Sequence, residues 1–221
     1  MKSGELRVGS AMPALNISLF TLHFSLFTPM TSVCVYCASS TQIDEKYFRA
    51  AEELGTLIAQ KGLRLVTGAG NMGLMCAVED AALAAGGKVT GIIPSFMIKE
   101  GWHHTGLTEL IETASMHERK QMMANLSDGA IALPGGCGTF EELLEIITWK
   151  QLGLYLGPVI ILNIDGYYDH LLAQLDRALE DKFMRDIHAG IWKVATTPEE
   201  AIELLLHTPH WDKSVRKFAA I

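Results

Sequence analysis

Positive charge is scarce in this chain of 221 residues: 18 lysines and arginines stand against 25 aspartates and glutamates, for a net charge of −7. A protein whose main partner is nucleic acid needs a basic footprint to neutralise backbone phosphate, so that class is set aside; a local basic site for a small anion is not. Cysteine is also sparse. Cys34, Cys37, Cys76 and Cys137 are the whole complement, which excludes a small disulfide-built scaffold. Cys34 and Cys37 have the C-x-x-C spacing of a redox or zinc pair. No second Cys/His pair at ligand spacing follows, however, and both lie in an apolar strand pattern, so they read as reduced thiols of a cytoplasmic protein. No apolar run is long enough to cross a bilayer. Residues 15–27 are apolar but too short. With Lys2 and Arg7 ahead they resemble a signal h-region, the alternative reading, yet no small-x-small cleavage pattern follows and Met30 directly precedes a well-formed strand. Residues 1–29 are therefore expected to be a non-core extension, of the kind an upstream start codon adds. Residues 30–221 form one domain, large enough to bury a substantial core, with no membrane and no nucleic acid among its expected partners.

From residue 30 onward apolar runs and helical periodicities alternate. Strands are predicted at 33–37, 63–67, 89–93, 110–113, 129–133, 158–163 and 191–195. Helices are predicted at 44–60, 74–85, 117–127, 139–152, 168–181 and 198–206. In the first helix Tyr47, Ala51, Leu54 and Ile58 share a face before Lys61-Gly62 ends it, and Pro198 after Thr197 suits a first helical turn. Pro94 is expected to stop the third strand, with 95–107 irregular. Nearly continuous apolar strands alternating with helices indicate an α/β protein. Its parallel sheet has helices on both faces, an open doubly wound sheet of about seven strands rather than a closed eight-fold barrel. Ligands of such sheets sit beyond the carboxyl ends of the strands. The glycine loops after the second and fifth strands lie on that edge.

The first loop, Gly68-Ala69-Gly70-Asn71-Met72-Gly73, matches G-x-G-x-x-G. A dinucleotide reading lacks support, because the loop follows the second strand and the next strand ends in Ile93-Pro94-Ser95 without an acidic residue for a ribose hydroxyl. A tight strand-to-helix turn and a ligand-facing loop for another nucleotide or phosphate both stand. The second loop, Pro134-Gly135-Gly136-Cys137-Gly138-Thr139-Phe140-Glu141-Glu142, joins glycines to the start of a helix, whose positive end and free N–H groups suit a phosphate. Thr139-x-x-Glu142 is also a capping-box pattern, with Thr139 capping the helix and Glu142 reaching back to its amide. Capping alone does not account for three glycines ahead of it. A third constellation, Met116-His117-Glu118-Arg119-Lys120, is a compact cationic patch in an acidic protein. Arg119 and Lys120 diverge by roughly 100° on a helix and cannot both face one point. Such a run is commonly a solvated face and His117 commonly a surface or capping residue, but arginine also binds phosphate in a bidentate way.

Together, Met116-His117-Glu118-Arg119-Lys120 and the 134–142 run resemble the paired M-H-x-R-K and P-G-G-x-G-T-x-x-E signatures of the LONELY GUY family. These are cytokinin riboside 5′-monophosphate phosphoribohydrolases, long mislabelled as lysine decarboxylases. Residues 34–40, 68–75, 91–94 and 163–168 are similar as well, and the resemblance covers about 31–206. It implies a Rossmann-like fold, a homodimer, no metal or organic cofactor, and hydrolysis of the N-glycosidic bond of adenine-type nucleoside 5′-monophosphates, cytokinin ribosides or AMP. It implies Arg119 and Glu142 as the catalytic pair. Glu100, Lys120, Gly135, Gly136, Cys137, Gly138, Thr139, Phe140, Glu141 and Thr148 would contact the nucleotide, with Gly68, Gly70 and Ser39 on the neighbouring loops. Ala38 and Ala69 stand where the family usually has glycine, and Cys76 where it has a small residue; an added methyl is expected to narrow a loop slightly and alter the base or sugar fit. A carboxylate beside an oxocarbenium-like ribose stabilises it, and Glu142 or Glu141 would activate water. A decarboxylase would need a pyridoxal-phosphate lysine, and Lys120 is the one candidate. A non-catalytic nucleotide-binding module is the other alternative.

Overall fold

A computed structural model describes residues 30–214. The proposed extension at 1–29 lies outside the described residues. The chain runs β1 (Ser32–Tyr36), α1 (Glu45–Gln60), β2 (Arg64–Thr67), α2 (Gly73–Ala84), β3 (Lys88–Pro94), α3 (Ser95–Lys99), β4 (Glu109–Thr113), α4 (Met116–Asn125), β5 (Gly129–Ala132), α5 (Cys137–Gln151), β6 (Val159–Leu162), α6 (Asp169–Glu180), β7 (Trp192–Ala195) and α7 (Pro198–His207). All seven strands join one parallel sheet in the order β4-β3-β2-β1-β5-β6-β7. The winding reverses between β1 and β5, which opens a crevice at the carboxyl ends of those two strands.

Alternation along each strand feeds two cores. Val33 and Val35 face α1, α2 and α7, packing with Leu54, Ile58, Leu74, Val78 and Ile202. Cys34 and Tyr36 face the opposite layer, with Met123 of α4, Leu143, Ile146 and Ile147 of α5, and Leu175 of α6. Both faces are covered, which is why the strands are apolar throughout rather than alternating. Cys34 and Cys37 are buried free thiols, and burial pushes both well above the usual thiol range.

Two expectations need correction. β3 runs through Pro94 instead of stopping before it: pairing with β2 has ended at Thr67↔Gly91, so on that side the missing N–H is not required. Residues 95–107 are also not wholly irregular, since α3 occupies Ser95–Lys99. Helix starts follow side-chain chemistry where a cap exists. Ser115 accepts from the Glu118 N–H to start α4, and Thr197 accepts from the Glu200 N–H to start α7.

Candidate active site

The T-x-x-E pattern at Thr139 does not behave like those two caps. α5 begins at Cys137 with Gly136 as its N-cap and no side chain capping it. Thr139 is therefore the third helical residue, and Glu142 sits nearly two turns in. The capping-box expectation fails for a steric reason: the glycines let the chain enter helical geometry three residues earlier, moving the cap from Thr139 to Gly136. The free N–H groups of the first turn thus belong to Cys137, Gly138 and Thr139. A Cβ on Gly135 would lie 2.1 Å from Thr139 Oγ1, so the loop packs on itself and only glycine fits there.

Gly136, Gly138 and Thr139 of this helix start line a cavity of about 380 Å³ at the carboxyl ends of β1, β2 and β5. Its lining mixes polar groups, among them Ser39, Ser40, Asn71, Arg119, Thr139, Glu141 and Glu142 beside Gly68, Gly70, Gly136 and Gly138, with the apolar side chains of Met72, Met75, Met97, Met116 and Trp102. Arg119 and Glu142 meet here, Nη1 to Oε1 at 3.8 Å, with side chains 7% and 9% exposed. Arg119 spends its other donors on backbone. Its Nε donates to the Ile92 carbonyl at 3.0 Å and its Nη2 to the Gly68 carbonyl at 3.1 Å. The guanidinium thus locks the ends of β2 and β3 together while one nitrogen remains for the cavity. Burial pushes the Glu142 carboxyl up to about 7, with Arg119 opposing the shift. Such a group changes charge near neutral pH, as a general base requires.

Lys120, one residue on, turns away as the helical geometry demands. It is buried against α5, where it pairs with Glu141 and with Glu145 at 3.2 Å. Lys120 is not in the cavity wall; Glu141, its partner, is. Cys137 is exposed, and Phe140 packs on Tyr167 and Tyr168. Glu100 and Thr148 are exposed and outside the wall; Thr148 donates to the Leu144 carbonyl. His117 is exposed. Ala69 is fully buried, with φ 59°; its methyl packs against Gly91 and it is not in the cavity wall, so its methyl does not meet a base or sugar there. Ala38 does line the cavity. The sequence reading missed the methionine-rich lining and Glu79. Glu79 is buried beneath the first glycine loop, accepting from Thr67 Oγ1, which in turn accepts from the Ala69 N–H. Burial pushes Glu79 up to about 8.

Gly68 tests how tightly Arg119 is seated. A Cβ there would fall 1.7 Å from Arg119 Nη2. Gly68→Ala is expected to fold, because the guanidinium is the end of a long side chain. If the cavity is an active site, turnover should drop by about 10- to 100-fold, the cost of displacing a guanidinium that faces it. Steady-state kinetics beside a thermal melt checks this.

Cys76, Asp80 and His104 bring a thiol, a carboxylate and an imidazole within 4.8 Å of one another. The hydrogen bonds argue against a cation there. The Gly106 N–H donates to His104 Nδ1 at 2.9 Å, so Nε2 carries the proton facing Asp80 and offers no lone pair.

Seven parallel strands, a switch-point crevice and a glycine-walled cavity holding an Arg–Glu pair define a Rossmann-like α/β protein with its site at the strand ends. Residues 75–205 match the family model described as "Possible lysine decarboxylase". Over 173 residues the chain is 44% identical to cytokinin riboside 5′-monophosphate phosphoribohydrolase LOG5 of Arabidopsis thaliana, covering 78% of this chain and 76% of the relative. Over 186 residues it is 42% identical to the probable cytokinin riboside 5′-monophosphate phosphoribohydrolase LOGL6 of Oryza sativa subsp. japonica, covering 84% and 74%. Among solved structures, the molybdenum cofactor binding protein of Rippkaea orientalis superposes with a TM-score of 0.59 at 29% identity, covering 81% of this chain and 96% of that one. The chain belongs to the LONELY GUY (LOG) family, whose model carries the lysine decarboxylase description. That description finds no support in the site. Among the described residues no lysine lines the cavity, Lys120 is held by two carboxylates, and the buried Lys150 donates to the Gly157 carbonyl.

Proposed function

We propose that the chain hydrolyses the N-glycosidic bond of adenine-type nucleoside 5′-monophosphates, releasing free base and ribose 5-phosphate. The observation that carries this reading is the nearly fully buried Arg119–Glu142 pair facing a cavity that also presents the open start of α5. In this reading the first-turn N–H groups and Gly136 hold the 5′-phosphate, and that remote binding positions the ribose. Ionised Glu142 takes a proton from water as the water oxygen adds to C1′ and the C1′–N bond breaks with its electron pair going to the base nitrogen. That same proton then passes to the departing base, which leaves neutral, and Glu142 is ionised again. The carboxylate also stabilises the oxocarbenium-like sugar. Arg119 orients Glu142 and balances charge. Glu141, exposed and tethered by Lys120, holds the mouth of the site. The methionines and Trp102 form a pliable apolar lining against which a base can lie.

The decisive assay incubates the chain with a panel of nucleoside 5′-monophosphates and measures base and ribose 5-phosphate together. The expected result is equimolar release from AMP or an N6-substituted adenine nucleotide and none from the nucleosides. The second reading, a non-catalytic nucleotide-binding module, draws support from the cofactor-binding protein that shares this fold. It predicts AMP binding with no base released.

A homodimer belongs to the same proposal. Leu144, Leu152 and Leu154 are exposed at and beyond the α5 face that carries Thr148, an apolar strip suited to a second copy. Sedimentation should give twice the chain mass. No helix among the described residues is long and apolar enough to cross a membrane, and we place the protein in the cytoplasm.

A further inference from the structure

The run 163–168 lies one strand away from the phosphate loop and has no part in the chemistry above. Its two tyrosines reach across to that loop. Tyr168, fully buried, donates its hydroxyl to the Leu133 carbonyl at 2.6 Å. Tyr167 donates to the Gly135 carbonyl at 2.5 Å. Between them the Pro134 carbonyl accepts from the Ala38 N–H at 3.3 Å. Three consecutive carbonyls of the loop are therefore each held by a donor from outside it.

The third of these matters most. In a trans peptide the C=O of one residue and the N–H of the next point in opposite directions. With the Gly135 carbonyl turned toward Tyr167, the Gly136 N–H is turned the other way, and Gly136 is in the cavity wall. The peptide between Gly135 and Gly136 joins two residues without Cβ atoms. It can rotate end for end at little steric cost, because φ of Gly136, −88°, becomes positive on rotation and glycine tolerates that. The rotated peptide would present an oxygen where a phosphate needs a donor.

We infer that Tyr167 is a positioning residue whose hydroxyl fixes the Gly135–Gly136 peptide with its N–H toward the ligand phosphate. This rests on the reading of the loop as a phosphate site. The ring is well placed for the task. It stands edge-on to Tyr168 at 5.1 Å and to Tyr47 at 5.9 Å. The turn that delivers it has left-handed Asp165 and Gly166, with Asp165 tied to Lys46 and the Tyr168 N–H tied to Asn163 Oδ1 at 2.6 Å.

Tyr167→Phe keeps the ring packing and removes only the hydroxyl. Binding is measured by calorimetry with ribose 5-phosphate, which carries the phosphate, and with adenosine, which lacks it. Ribose 5-phosphate should bind about tenfold more weakly, adenosine within twofold of the unaltered chain, and the melting curve should stay close to it. On AMP, KM should rise while kcat stays within threefold. Unchanged ribose 5-phosphate binding overturns the inference, and so does an equal loss for both ligands, which signals a general collapse of the site. The calorimetry needs no turnover. A chain that binds ribose 5-phosphate through Tyr167 yet releases no base would sink the hydrolase reading and leave this one standing.

Discussion

Glu142→Gln is expected to lower kcat on AMP by at least about 10³-fold while nucleotide binding survives. Gln keeps the shape and a hydrogen-bonding carbonyl but can neither accept the water proton nor carry negative charge beside the developing sugar cation, the two contributions the site asks of this residue. The pH dependence follows from the same group. Its folded value of about 7 means the active, ionised form grows in as pH rises. kcat/KM should therefore climb about tenfold per unit below pH 6 and level off above about 8. Stability should run the other way. A carboxyl raised from 4.5 to about 7 carries its full stabilising contribution below pH 4.5 and loses it as pH rises to 7. The loss is at most roughly 3 kcal/mol for so buried a group. Glu142→Gln escapes that loss. At pH 8 it should be more stable than the unaltered chain by about 1–2 kcal/mol, the remainder going to Arg119, which loses its counter-charge. Near pH 4 the two should melt together. Urea titrations at both pH values read this, and residual turnover within threefold of normal would remove Glu142 from the mechanism.

Arg119→Ala should be nearly as damaging to activity and far worse for the fold. It strands the Ile92 and Gly68 carbonyls, both at buried strand ends, at a cost of about 2–4 kcal/mol for unsatisfied buried acceptors. It also removes the positive charge that holds Glu142 down. Whatever activity remains, about 10³-fold reduced in kcat/KM, should have its pH midpoint moved upward from 7 by about one unit. The alkaline shift separates this role from simple misfolding, which lowers activity at every pH alike. Arg119→Lys should shift the midpoint less, because the charge is kept, yet still lose activity, because a single ammonium cannot serve Ile92, Gly68 and the cavity at once.

Much of this architecture was legible beforehand because its causes are local. Apolar runs such as 129–133 and 158–163, punctuated by Gly and Pro, located the seven strands, and the absence of polar alternation in them already required helices on both faces. The loops at 68–73 and 134–142 stood out because glycine in numbers has few purely structural uses. Errors arose where one pattern has two physical outcomes. Thr139-x-x-Glu142 reads as a cap, as Thr197-x-x-Glu200 is. The difference lies in the preceding residues: Gly136 and Cys137 can adopt helical entry geometry, so the helix starts early and the carboxylate is carried into the cavity. Ala69 reads as a methyl in the site, but its left-handed backbone turns it toward Gly91.

The sequence by itself determined which residue types are available and their local geometry: an acidic α/β chain, two glycine loops at strand ends, and an arginine and a lysine obliged to diverge. Only the tertiary structure decided which of them meet. Parallel pairing of β2 with β3, and the packing of α4 on β3, put residues 51 positions apart, Gly68 and Arg119, within 3.1 Å, while pairing of β1 with β5 sets the start of α5 beside them. The packed sheet draws Glu142 out of water, and that burial turns an ordinary carboxylate into one that ionises near neutrality. It also sets a tyrosine from beyond β6 against a carbonyl beyond β5. No spacing rule encodes these facts, because burial and long-range contact are properties of the packed sheet and not of the segment that carries the residue.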